Sequence, residues 1–189
     1  MKYGLDFGHG CHPDIGAMNG FEDELNKELG TKVAAGLISI GHDVVICNPK
    51  SKCSSVNQSL RERCQIANKE NVDRFISFHF NAFNTVAFGA EVYYISNAGH
   101  NIAKPVLKEI CDLKINGCSL FNRGCKRTTL FQVLNGTIAP AILIETAFCD
   151  NPNDMRTYNQ ISSNRVATAI VKGLTGNLPT SDQPCLYIN

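Results

Sequence analysis

Three ligand-competent side chains follow short, mostly apolar runs of the sequence, and their types are those found in metal sites. These side chains are His9, His79 and Glu145. Burying a carboxylate is costly unless it is paired or bound to a metal, so Glu145 needs a partner. Two imidazoles and one carboxylate are the usual protein ligands of a catalytic zinc ion. The set therefore indicates metal-assisted hydrolysis, with a second carboxylate available as the general base.

The second carboxylate of this set is Glu22, at the start of a helical pattern. Glu24 and Glu28 lie nearby, and acidic residues near a helix start also complement the helix dipole, which is an equally good interpretation of Glu22. His9 taken alone is more typical of a solvated surface residue. Residue types alone leave open which glutamate binds the metal and which transfers the proton.

Alternating strands and helices are predicted to position these residues. Apolar residues at helical spacing predict helices over residues 22–40, 56–69, 98–115 and 161–174, with a short helix capped by 150–154 and Pro105 in the first turns of the third. Apolar runs predict strands over residues 4–7, 42–47, 73–80, 89–95, 130–134 and 140–145, and residues 122–126 are predicted to form a turn. This order predicts a single α/β domain with a twisted, mainly parallel sheet of about six strands and helices on both faces. The carboxyl ends of its parallel strands should bring His9, His79 and Glu145 to one edge.

Length and net charge limit the number of domains and the classes of partner that we expect for this chain. The 189 residues suit one domain, and 18 basic against 17 acidic residues give a net charge of +1. We therefore expect no nucleic-acid partner, no membrane insertion and a monomer. The catalytic domain is predicted over residues 1–175, and the Pro- and Ser-containing residues 176–189 are predicted to be a linker stub or a disordered tail.

The nine cysteines are odd in number and contain no C-x-x-C pair. This argues against both a disulfide framework and a thiolate zinc site. Several lie within apolar runs, where a free thiol acts as a small hydrophobe. Together with an amino terminus that has no signal-peptide pattern, these cysteines lead us to expect folding in a reducing cytoplasm.

Five short motifs in a fixed order resemble one enzyme family. They are Gly8-His9-Gly10, Gly20-Phe21-Glu22 with Asn26, Ser77-Phe78-His79-Phe80-Asn81-Ala82, Asn122-Arg123-Gly124, and Pro140-Ala141-Ile142-Leu143-Ile144-Glu145 with Phe148 and Asn151. Together, over residues 2 to about 173, they resemble the zinc-dependent N-acetylmuramoyl-L-alanine amidases of bacterial autolysins and phage endolysins.

The resemblance implies one zinc ion held by His9, Glu22 and His79, with Glu145 as the catalytic acid/base. It implies that the substrate is peptidoglycan, cleaved at the amide between the lactyl group of N-acetylmuramic acid and the L-alanine of the stem peptide. Asn81 is predicted to bind substrate, although an Asn that caps its own turn fits equally well. The alternatives open at this point are a zinc exopeptidase or deacylase and a non-catalytic wall-binding module.

Some residues depart from the family pattern or carry a second interpretation. Cys11 and His12 follow the first motif and could compete for the metal, and Asp23 stands where lysine is common. Arg123 is predicted to bind a stem-peptide carboxylate or, equally, to form a structural salt bridge. Glu91 is expected on the solvent face of its strand.

The expected place of action is the bacterial cell wall. The chain would reach it either as an endolysin made in the cytoplasm without a leader or as the trimmed domain of a secreted autolysin.

Overall fold

A six-stranded sheet organises the protein in this computed structural model, which describes residues 1–180. The strands are β1 (Lys2–Phe7), β2 (Asp43–Ile46), β3 (Arg74–Asn81), β4 (Ala90–Tyr94), β5 (Asn122–Arg127) and β6 (Ala141–Phe148), in the spatial order β2-β1-β3-β6-β4-β5. Pairings from β2 through β1 and β3 to β6 are parallel, β4 runs antiparallel to β6, and β5 is parallel to β4. The predicted mainly parallel sheet is confirmed.

Six α-helices cover both faces of the sheet. They are α1 (Phe21–Ser39), α2 (Val56–Lys69), α3 (Asn97–Cys111), α4 (Gln132–Asn135), α5 (Pro152–Ile161) and α6 (Ser163–Thr175). The larger core packs α1, α3, α5 and α6 on one face, and the smaller core packs α2 and α4 on the other. Within residues 1–180, no helix has the length and apolar character that a membrane crossing would require.

The central strands are apolar on both sides because alternate residues enter different cores. In β6, Ile142 and Ile144 join the larger core, whereas Ala141 and Leu143 join the smaller one. Strands buried on both faces read as continuous apolar runs, which is why these were recognisable in the sequence.

Two short predictions near the sheet edge were wrong. Residues 122–126 form most of β5 instead of a turn, because Gly124, at a φ of 90°, is accommodated where the pairing of β4 with β5 shifts register. Residues 130–134 do not form a strand, since Leu130 is exposed and α4 begins at Gln132. A short apolar run alone does not distinguish a strand from a helical segment.

Helix boundaries also differ from the predictions. Pro105 lies in the middle of α3 instead of its first turns, because Ser96 caps the helix by accepting a hydrogen bond from the backbone N–H of Gly99, and α3 ends at Cys111 instead of residue 115. The last helical pattern is interrupted at Ser162, where φ is 76°. The predicted tail begins at Gly176, just after α6, and its residues 181–189 lie outside the described part of the chain.

Candidate functional site

His9 lies two residues beyond the end of β1, in the left-handed region at a φ of 65°. Its neighbours Gly8 and Gly10 leave room for the site. A Cβ on Gly8 would lie only 2.4 Å from the ring atoms Cε1 and Nε2 of His79, and Gly10 has a φ of 75°. The glycine pair therefore lets the imidazoles of His9 and His79 approach each other.

The structure brings His9, Glu22 and His79 together, with one donor atom from each within 4.8 Å of the others. His9 Nε2 lies 3.1 Å from Glu22 Oε1, and His79 Nδ1 lies 3.0 Å from the same oxygen. Ligands about 2.0–2.1 Å from a tetrahedral zinc ion lie roughly 3.3 Å from each other. The separations of Glu22 from the two imidazoles and the donor types of all three residues therefore fit a single zinc ion.

Asp14 was not found from the sequence, yet it orients the first of these ligands. Its Oδ1 lies 2.6 Å from His9 Nδ1, on the ring nitrogen opposite the one that faces Glu22, and its Oδ2 accepts a hydrogen bond from Ser59. A carboxylate on the second nitrogen of a metal-binding histidine fixes the tautomer and the ring orientation. The only sequence signal was the acid five residues after His9, in a loop where Asp is common.

Arg63, from α2, is a second residue that the sequence did not reveal. Its fully buried guanidinium forms an ion pair with Asp6 and donates hydrogen bonds to the backbone carbonyls of Phe7 and His9. These contacts fix the backbone that carries His9. An acid inside the apolar strand β1 was the available hint that a buried cation had to exist.

The ionised forms of His9 and Glu22 stabilise each other. Burial opposes ionisation of Glu22, but hydrogen bonds from His79 and then His9 hold its pKa well below the ordinary value. Burial likewise opposes the charged form of His9, but hydrogen bonds to Asp14 and Glu22 raise the pKa of His9 to about 10. Because a metal binds neutral imidazole, a metal ion at this site would displace the proton from His9.

Glu145 lies within β6, which continues to Phe148, so the prediction that it closes the strand was wrong. The strand continues because the three residues after Glu145 are buried as well. Glu145 is opposite His79 on β3 and opposite Glu91 on β4. Burial, and then the charges of Glu22 and Glu91, raise the pKa of Glu145 well above its ordinary value.

One carboxyl oxygen of Glu145 is unsatisfied by the described contacts. Its Oε2 is buried and has no hydrogen-bond partner in the described part of the chain. A buried polar atom without a partner is unusual and costly. Glu145 and the three metal-ligand candidates line one cavity of about 500 Å³. The apolar wall of that cavity includes Val56, Leu60, Phe80, Leu130, Phe131, Val133 and Leu143.

Glu91 is buried instead of lying on the solvent face, so that expectation was wrong. Its carboxylate is compensated by Arg123, whose Nε lies 2.6 Å away, and by an ion pair with Lys126. It also accepts hydrogen bonds from the Tyr93 hydroxyl at 2.6 Å and from Asn81 Nδ2 at 3.2 Å. These residues line a second cavity, of about 270 Å³, and Asn81 lines both cavities. The predicted substrate residues Asn81 and Arg123 are thus held together by Glu91.

The two predicted competitors for the metal, Cys11 and His12, lie outside the group of candidate ligands. His12 is exposed, and neither it nor Cys11 belongs to the group formed by His9, Glu22 and His79. Cys11 is buried and donates a hydrogen bond to Cys53 instead.

Known proteins share this fold and sequence pattern. LytC of Bacillus subtilis strain 168, an N-acetylmuramoyl-L-alanine amidase, is 31% identical over 173 residues, which cover 89% of this chain and 34% of LytC. The catalytic domain of the CD27L endolysin, which targets Clostridia difficile, superposes with a TM-score of 0.81 at 28% identity, covering 95% of this chain and 99% of that one. The catalytic domain of CwlV, an N-acetylmuramoyl-L-alanine amidase from Bacillus (Paenibacillus) polymyxa var. colistinus, gives 0.78 at 26% identity, covering 93% and 96%.

The matches extend over nearly all of this chain but over only part of its relatives. Alignments with two curated relatives from Clostridium perfringens cover 43% and 51% of those proteins. The family model described as N-acetylmuramoyl-L-alanine amidase matches residues 4–176. The chain therefore belongs to the N-acetylmuramoyl-L-alanine amidase family.

Proposed function

We propose that this chain hydrolyses the amide between the lactyl group of N-acetylmuramic acid and the L-alanine of a peptidoglycan stem peptide. The observation that carries the proposal is the convergence of His9, Glu22 and His79 beside the buried carboxyl of Glu145. Membership of the family supports the choice of substrate. Residues 1–175 are proposed as the catalytic domain, which would act at the bacterial cell wall.

His9, Glu22 and His79 would hold one zinc ion in this proposal. When bound, zinc supplies a Lewis acid for the scissile carbonyl and lowers the pKa of water towards neutrality. Asp14 keeps the His9 ring turned so that Nε2 faces the other two donor atoms. Glu22 is fixed by its other oxygen, which accepts a hydrogen bond from the Ala17 backbone N–H at 2.8 Å.

Glu145 would be the proton carrier of the reaction. It takes the proton of the attacking water and returns it to the leaving amine of L-alanine. Because burial raises the pKa of Glu145, this carboxyl retains a transferred proton better than an ordinary glutamate would. Its buried position also limits exchange of that proton with bulk water.

Asn81 and Arg123 would bind the stem peptide beside the scissile bond. The Nε of Arg123 is used by Glu91 and its Nη1 donates to the Phe88 carbonyl at 3.1 Å, but the side chain remains 30% exposed, so its Nη2 group can reach a ligand. An Arg fork suits a carboxylate, and the stem peptide carries such groups. Asn81 links this region to Glu145 by lining the cavities on both sides.

A muropeptide digest with and without a chelator tests the proposal. Purified cell walls are incubated with the protein, and the products are identified by mass spectrometry. We expect stem peptides with a new L-alanine amino terminus, no such products with the chelator, and recovery when zinc is added back.

Release of single amino acids would instead indicate an exopeptidase, and release of acetate would indicate a deacylase. Binding to walls with no cleavage would indicate a wall-binding module. Any of these results would overturn the proposed reaction.

A further inference from the structure

Two buried thiols, one on the loop that follows β1 and one on the loop that follows β2, lie together. The Sγ atoms of Cys11 and Cys53 are 2.8 Å apart, although the residues are separated by 42 positions in the sequence. Both are nearly inaccessible, with exposed fractions of 5% and 7%. All eight cysteines that the structure describes are free thiols. No step of the proposed reaction uses this pair.

Backbone hydrogen bonds hold the two thiols in place. Cys11 and Asp14 exchange N–H···O=C bonds of 3.2 and 2.7 Å, and the N–H of Cys53 donates to the carbonyl of His12 at 3.2 Å. The loop after β1 is therefore tied to the loop after β2 next to the sulfur atoms. The juxtaposition comes from the backbone as well as from side-chain rotamers, so the pair is preorganised.

A separate cavity gives solvent a route to one thiol of the pair. It has a volume of about 350 Å³ and is lined by Gly10, Cys11, His12, Pro49, Lys50, Ser51 and Lys52. Cys11 lines this cavity, and Cys53 contacts Cys11 without lining it. The exposed Lys50 and Lys52 give the opening a positive charge, which suits an anionic reagent.

We propose that Cys11 and Cys53 form a reversible intramolecular disulfide by exchange with a small anionic disulfide of the glutathione class. The apposed sulfurs and the lysine-lined access cavity are the observations that carry the proposal. The other described cysteines form no such pair with a comparable cavity; Cys47 and Cys64, for example, lie in the smaller core.

The exchange would proceed in two steps that balance. The Cys11 thiolate attacks one sulfur of glutathione disulfide, forming a mixed disulfide, and one glutathione leaves as a thiolate that takes up a proton. The Cys53 thiolate then attacks the Cys11 sulfur and displaces the second glutathione. The two cysteines lose two protons and two electrons, and the glutathione disulfide gains them.

The order of attack follows from the surroundings of each thiol. Cys11 faces the cavity, so it meets the reagent first. The hydrogen bond shared with Cys11 raises the pKa of Cys53 to about 11, which favours the protonated form of Cys53 until Cys11 has reacted. Cys53 is therefore the resolving thiol.

The disulfide would act as a reversible cross-link. It would close a segment of the chain and so restrict the unfolded state, which raises stability more for longer loops. The sulfurs already lie in contact, so the bond leaves the His9–Asp14 contact in place. We expect the oxidised protein to melt on the order of 10 °C higher than the reduced protein.

The test oxidises the full chain with glutathione disulfide, blocks free thiols under denaturing conditions and maps the digest by mass spectrometry. We expect one peptide pair joined through Cys11 and Cys53, loss of that pair after reduction, and the rise in melting temperature. Cys53→Ser should abolish both the joined peptides and the rise. Cys118→Ser, at an exposed thiol, should retain both.

Glutathione attached to Cys11 without a Cys11–Cys53 linkage would overturn the proposal. A rise in melting temperature that persists in Cys53→Ser would also overturn it. If Cys53→Ser does not fold, the peptide map of the unsubstituted chain still decides whether the bond forms.

Discussion

Two clusters of ion-paired side chains flank the candidate metal site, and they differ in how far their cations are exposed to solvent. We call the first the Arg63 cluster; it consists of Arg63, Asp6, Asp14 and Ser59. We call the second the Glu91 cluster; it consists of Glu91, Arg123, Lys126, Tyr93 and Asn81. The Arg63 side chain is 1% exposed, whereas those of Arg123 and Lys126 are 30% and 38% exposed.

This difference in exposure indicates that one cluster positions other residues and that the other cluster can bind substrate. In the Arg63 cluster, the cation is surrounded by protein acceptors and lies between two carboxylates, so it cannot meet a substrate. In the Glu91 cluster the carboxylate is the buried member, and two cations share it, which leaves positive charge and free N–H groups towards the cavity. The first cluster therefore positions His9, one of the three candidate metal ligands, and the second is suited to bind an anionic part of the substrate.

The largest expected effect follows from removing the buried cation. Arg63→Met leaves Asp6 and Asp14 without their guanidinium, and an uncompensated buried charge typically costs about 3–5 kcal/mol of unfolding free energy. Urea unfolding of the metal-free protein measures this loss. Arg61→Met, on an exposed face of the same helix, is the matched control and should change stability little. Equal stability of the two variants would contradict the positioning role.

A smaller effect is expected for the acid that orients His9. Asp14→Asn removes the carboxylate from His9 Nδ1, and loss of such a partner lowers metal affinity about 10–100-fold. Competition with a chelator of known zinc affinity measures the change. Glu24→Gln, at an exposed position near the start of α1, should retain the affinity. If both variants bind zinc equally well, Asp14 does not act through His9.

The smallest effect on stability is expected in the Glu91 cluster. Arg123→Gln leaves Lys126 to compensate Glu91, so the unfolding free energy should change by less than about 1 kcal/mol, as for other partly exposed ion pairs. If Arg123 binds a substrate carboxylate, KM should rise about tenfold while kcat changes less, since about 1–2 kcal/mol of charge-assisted hydrogen bonding is lost. Steady-state cleavage of a soluble muropeptide measures both constants.

Arg127→Gln is the control for Arg123, because it is exposed and bonds only a backbone carbonyl among its described contacts. An unchanged KM in Arg123→Gln would leave Arg123 a structural partner of Glu91. A loss of several kcal/mol of unfolding free energy in Arg123→Gln would mean that the Glu91 cluster stabilises the fold as the Arg63 cluster does. That result would contradict the distinction between the two clusters.

The same contrast explains what the sequence could predict. His9, His79 and Glu145 were identifiable because each interrupts or follows an apolar run, and the local motifs around them resemble a family. Asp14 and Arg63 were not identifiable, because their role depends on contacts between residues such as Arg63 and Asp6, which are 57 positions apart. Nothing in local spacing specifies such a pairing.

The fold was predictable where burial dominates and less so at the edge of the sheet. The central strands β3 and β6 are buried on both sides, and their apolar runs are unambiguous. The edge strand β5 contains Asn122, Arg123 and Gly124, which are typical of turns, and becomes a strand only through its pairing with β4. The burial of Glu91 was not predicted for a related reason, since the two cations that compensate its charge belong to that edge strand.

The central claim is that His79 belongs to a metal site in which Glu145 transfers the proton. The most direct test measures zinc content and muropeptide turnover of purified Glu145→Gln and His79→Ala. We predict that Glu145→Gln keeps its zinc and loses at least about a hundredfold in turnover rate, the usual minimum contribution of a positioned acid/base, whereas His79→Ala loses the metal. Full turnover by zinc-loaded Glu145→Gln, or full zinc content in His79→Ala, would contradict the account.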